Sequence, residues 1–147
     1  MATFTPLDAS FGARVTDIDL ANMSDAEWRE VEAAFDEYAA LVFPGQNLSE
    51  EAQVAFGERF GPIEYLRGKG EKAAAISNVG PDGKVMAPDV KRFKSLRGNE
   101  GWHTDSSYMP LAAKASCLAA VVVPDEGGET ALADMRNAYD TLDEATK

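Results

Sequence analysis

At 147 residues and a net charge of −11 the chain has the length of one domain, and its 45% apolar and 27% charged content is that of a soluble globular protein. An acidic balance of this size repels nucleic-acid phosphates, and no apolar run nears the roughly 18 residues of a membrane span. A single cysteine excludes an internal disulfide, and Cys117, inside the apolar run 115–123, is expected to be buried and inert. The first residues lack the basic and apolar stretches of a secretory signal, so a reducing cytoplasm is the expected setting.

Residues 11–20 alternate loosely, with Val15, Ile18 and Leu20 apolar, and predict a short strand. Ser24 and Glu27 form the Ser-x-x-Glu pattern of a capping box. Beyond it Trp28, Val31, Phe35 and Tyr38 recur at helical spacing, which predicts an amphipathic helix over 25–39. Leu41-Val42-Phe43 is a short buried strand stopped by Pro44-Gly45. Ser49 caps a second helix, with Glu50 and Glu51 placed against its dipole. Ala52, Phe56 and Phe60 supply its core stripe, and Gly61-Pro62 ends it.

Residues 63–98 are rich in loops, with turn signals at Gly68, Gly70, Pro81-Asp82-Gly83 and Pro88, and one strand expected over 75–79. Arg67, Lys69, Lys72, Lys84, Lys91, Arg92, Lys94 and Arg97 make residues 67–97 net +5 and leave −16 on the rest. Such a basic island attracts small anions, or is simply a solvated loop. Residues 116–123, with Val121-Val122-Val123, read as a strand buried on both faces and stopped by Pro124. Residues 129–133 form another candidate strand. Asp134 caps a final helix with Ala138, Tyr139 and Leu142 on its inner face.

The only histidine lies in Trp102-His103-Thr104-Asp105. On an extended segment residues i and i+2 face the same way, so His103 and Asp105 would present an imidazole and a carboxylate together. That pair is two thirds of the two-histidine, one-carboxylate set that holds Fe(II) with open positions. The plainer alternative has His103 hydrogen-bonded near the surface and Asp105 capping a turn. A hydrolase built on Ser106 or Ser107 lacks the Gly-x-Ser-x-Gly elbow. Zinc lacks ligands, with one histidine and one cysteine, and Gly68-Lys69-Gly70 lacks the third glycine of a dinucleotide fingerprint.

An ordered set of motifs resembles the taurine / 2,4-dichlorophenoxyacetate dioxygenase family: Leu41-Val42-Phe43-Pro44-Gly45-Gln46, Phe56 to Pro62, Trp102 to Tyr108, Gly127-Gly128-Glu129-Thr130, and 134–142. Ile76-Ser77-Asn78-Val79, Asp82-Gly83-Lys84-Val85 and Val121-Val122-Val123-Pro124 look closer to its phenoxyacetate branch. The resemblance implies an α+β fold with a mainly β core, part of a double-stranded β-helix (jelly roll) with flanking helices. It implies Fe(II) held by His103 and Asp105, and 2-oxoglutarate contacted by Thr130 and Asn99. Ser106 would line the site of a small anionic substrate, aryloxyalkanoate- or sulfonate-like, oxidised with O2. The family's second histidine and its arginines have no counterpart here, so residues 1–147 look like the N-terminal half of one such domain. The companion expectation is an inactive fragment that acts only by association, through homo-oligomers.

Overall fold

The computed structural model describes residues 1–64 and 72–147, which form two compact units: Met1–Arg59 with Leu118–Lys147, and Phe60–Cys117. Arg67, Lys69 and the turn signals Gly68 and Gly70 lie outside the described residues.

The first unit is built on a three-stranded mixed sheet. Strand β1 (Thr3–Pro6) pairs antiparallel with β2 (Ala13–Thr16), from Thr3↔Thr16 to Pro6↔Ala13. Pro6 lacks an amide hydrogen and suits the outer strand where it lies. Helix α1 (Asp25–Tyr38) then carries the chain across to β3 (Leu41–Val42), which runs parallel to β2 with Ala13↔Leu41 and Arg14↔Val42. A parallel neighbour requires a long connection, and the helix supplies it. In β2 Ala13 and Val15 are fully buried and Arg14 is exposed, the two-residue period of a sheet covered on one face.

The α1 start is the predicted capping box: the Ser24 hydroxyl accepts from Glu27 N–H, and Glu27 accepts from Ser24 N–H. Val31 and Ala34 are its buried residues and face the core with Val15, Leu20 and Phe56. Phe56 comes from α2 (Glu50–Glu58), capped by Ser49, and meets Trp28 and Phe43 edge-on at 6.3 and 5.7 Å between ring centres. Arg59, just past α2, stacks over Trp28 and bonds Asp25 at 2.8 Å. Gly12 donates to the Tyr38 carbonyl at φ +91°, and a Cβ there would stand 2.9 Å from Leu7 Cδ1. Only glycine meets both conditions without strain.

Helix α4 (Met135–Asp140) starts where expected, with the Asp134 carboxylate accepting from Arg136 and Asn137 N–H. Ser10 donates to Asp134 at 3.0 Å, and the Arg136 guanidinium donates to the Glu37 carbonyl at 3.3 Å. These bonds fix the helix within the unit. No apolar inner face does so, because Ala138, Tyr139 and Leu142 are all exposed.

The second unit holds helix α3 (Lys91–Gly98), which the sequence reading missed, and an isolated bridge Val79↔Val85. The expected strand over 75–79 is reduced to that bridge, closed by Gly80 N–H to Lys84 O and Met86 N–H to Asn78 O. Several further expectations are corrected. No strand forms over 102–105, 116–123 or 129–133, and α2 ends at Glu58, before Gly61-Pro62. Val121, Val122 and Val123 are 93, 82 and 77% exposed, and Cys117 is exposed too. A β-branched run favours a pleated surface but cannot make one alone; its N–H and C=O groups need a neighbouring edge. Among the described residues no strand lies beside these segments. No helix among them is long and apolar enough to cross a membrane.

Candidate metal centre

His103 and Asp105 both lie in the second unit, and despite the absence of a strand their side chains meet. Imidazole Nε2 stands 3.3 Å from Asp105 Oδ1. The segment runs irregularly through 102–104 and then turns over 105–108. Ser107 donates its hydroxyl to the Thr104 carbonyl, and Met109 N–H bonds the Ser106 carbonyl. The turn brings the carboxylate to the imidazole, which is where pleating was expected to place it.

The hydrogen bonds around the pair orient both of its side chains. His103 Nδ1 lies 2.8 Å from the Gly101 carbonyl, which can only accept, so Nδ1 carries the proton. In the neutral ring the lone pair is then on Nε2, aimed at a carboxylate oxygen. Two electron-rich atoms in this position repel unless a positive charge stands between them. A proton is one solution and a divalent cation the other. Neighbouring ligands of a first-row ion, each roughly 2.1 Å from it, stand about 3 Å apart, close to the separation seen. Asp105 Oδ2 accepts from Ser116 Oγ at 3.2 Å, so the carboxylate is also oriented from behind. Both side chains are more than half exposed, so the open side of the pair faces water.

Ser106 follows Asp105 with φ +55°, a left-handed conformation that costs a non-glycine residue about 1–2 kcal/mol. It is buried, and its hydroxyl donates to Glu64. Asn99 is the C-cap of α3, its N–H directed at the carbonyls of Leu96 and Arg97. The exposed cations Lys91, Arg92, Lys94 and Arg97 of the basic island belong to the same helix. Thr130 belongs to the other unit, exposed, two residues after a turn in which Gly127 and Gly128 hold φ +74° and +77°. The structure thus brings together the side chains of His103 and Asp105, while Ser106, next in the chain, turns its hydroxyl to Glu64. Among the described residues no group of three metal-ligating side chains forms.

Sequence reasoning missed Glu64, Ser116 and the Gly101 carbonyl. Glu64 is 42 positions from Ser106 and Ser116 is 11 from Asp105, and nothing in the local pattern links them.

Residues 3–147 match the family described as taurine catabolism dioxygenase TauD, TfdA family. The chain is 53% identical over 144 residues to an (S)-phenoxypropionate/alpha-ketoglutarate-dioxygenase of Sphingobium herbicidovorans, covering 97% of this chain and 48% of that protein. It is 45% identical to an alpha-ketoglutarate-dependent 2,4-dichlorophenoxyacetate dioxygenase of Cupriavidus pinatubonensis, covering 93% and 51%. A crystal structure of AAD-2 in complex with Mn(II) and N-oxalylglycine superposes with a TM-score of 0.85 at 39% identity, over 99% of this chain and 51% of that one. The chain spans about half the length of the relatives it matches. With a match over nearly every residue, this chain belongs to the TauD, TfdA family.

Proposed function

We propose that this chain contributes two of the iron ligands of an Fe(II)- and 2-oxoglutarate-dependent dioxygenase acting on a small aryloxyalkanoic acid. The observation that carries the reading is the His103–Asp105 pair, with Nδ1 committed to Gly101 and Nε2 facing Oδ1 at 3.3 Å. The relatives named above make an aryloxyalkanoate the favoured substrate over a sulfonate. The AAD-2 complex contains Mn(II), so a divalent ion accompanies the fold in at least one relative.

Bound Fe(II) with 2-oxoglutarate supplies the oxidising power, drawn from O2, for hydroxylating the substrate, with succinate and CO2 as co-products. The residues of this chain hold and orient. His103 gives a neutral nitrogen whose direction Gly101 fixes, and Asp105 gives a carboxylate oxygen whose partner Ser116 holds. Thr130 and Asn99 are assigned to 2-oxoglutarate, and Ser106 borders the substrate side of the ligand turn. The α3 cations draw an anionic substrate toward their unit. The fold assigned to the working domain is a jelly roll, in which 116–123 and 129–133 gain neighbouring strands. A cytoplasmic setting suits Fe(II) and a chain with one cysteine.

Anaerobic titration with Fe(II) and 2-oxoglutarate, followed by the metal-to-ligand charge-transfer band, tests the proposal. With a single histidine among its residues the natural chain should give a weak band, which should disappear in His103→Ala and Asp105→Ala. A band of equal strength in either variant would remove these residues from the metal.

A further inference from the structure

We propose that Glu64 is a positioning residue for the metal pair, acting through Ser106; this rests on the reading of His103 and Asp105 just given. Ser106 is the one buried polar residue among those described, 7% exposed beside ligands that are open to water. It directly follows Asp105 and bends the chain through the left-handed region at φ +55°. A serine keeps that conformation only where its surroundings over-determine it. The two bonds internal to the turn, Ser107 to the Thr104 carbonyl and Met109 N–H to the Ser106 carbonyl, shape it without anchoring it.

The anchor comes from outside. Glu64 Oε2 accepts from the Ser106 hydroxyl at 2.5 Å across 42 residues of sequence. Ser116 reaches the Asp105 carboxylate from the opposite direction in the chain. Asp105 is thereby held by its own far oxygen and by the residue that follows it, which leaves Oδ1 pointing at His103 Nε2. Ligands on an otherwise open turn need such support to keep a metal's geometry before the metal arrives.

The test uses the whole chain and its single histidine, which gives one set of imidazole NMR signals. Mn(II) is titrated against the His103 signals, and amide exchange is measured without metal. Glu64→Ala is expected to raise the Mn(II) concentration at half-broadening about tenfold, while Glu64→Gln, whose amide oxygen still accepts, stays within about twofold of the natural chain. Amides 105–109 exchange faster in Glu64→Ala. Ser106→Gly, which suits the backbone and deletes the hydroxyl, should match Glu64→Ala, and the double variant should be no weaker than either alone. A Glu64 that serves stability alone would lower the melting temperature and leave the Mn(II) response untouched, which overturns the inference. A natural chain whose His103 signals respond to Mn(II) no more than those of Asp105→Ala would instead overturn the metal reading beneath it.

Discussion

His103 is defined by a proton it cannot share: the Gly101 carbonyl takes Nδ1–H, and the remaining nitrogen is left to face a carboxylate. The His-x-Asp spacing was legible and its meeting point was anticipated, yet the means was not. A turn joins the two side chains where a pleat was expected, because a turn is set by bonds such as Ser107 to Thr104 that no two-residue period records. Asp134 carries a second residue-scale expectation. Its carboxyl is held below the usual 3.8 by the Asn137 backbone N–H first, with the Ser10 hydroxyl, Arg136 N–H and the Arg136 charge adding to it. A carboxylate with a lowered native pKa stabilises fully above the unfolded value, and the contribution fades as pH falls through the native one. The melting temperature of the natural chain should therefore exceed that of Asp134→Ala at neutral pH, and the gap should close as pH falls below 3.8. A gap independent of pH would assign the cap to shape rather than charge.

At the scale of elements, the parts specified by local chemistry were the readable ones. N-cap side chains located α1, α2 and α4, with an apolar stripe beside them in α1 and α2, since each cap records its partners within one turn. Ser24→Ala removes the hydroxyl that accepts from Glu27 N–H and should cost about 1 kcal/mol in denaturant unfolding. Helix α3 escaped because its cap, Val90, has no side-chain acceptor, and its cations read as a solvated loop. The strands over 116–123 and 129–133 failed for the converse reason: a valine run carries propensity, while pairing is non-local. Burial separates the two kinds of valine. Val31→Ala, in a fully buried site, should cost about 2 kcal/mol, whereas Val122→Ala, 82% exposed, should stay within about 0.5 kcal/mol. Equal losses at both would mean that Val122 is covered in solution.

For the molecule as a whole, Leu118, Val121, Val122 and Val123 form an exposed apolar stretch bounded by Pro124. Such a stretch, free of charge and ready to pair, favours association between chains. Sedimentation at rising concentration should show self-association that Val122→Lys reduces, with or without Fe(II) present. Association that depends on Fe(II) would tie it to the metal centre instead. The first unit also draws on two distant stretches, Met1–Arg59 and Leu118–Lys147, joined by Ser10 to Asp134 and by Arg136 to Glu37. On a ribosome the sheet and its crossover helix emerge and pair well before the second stretch is translated. The buried apolar residues of the unit all lie before Arg59, so its core can close first, and the distant segment then docks onto it through these two exposed hydrogen bonds.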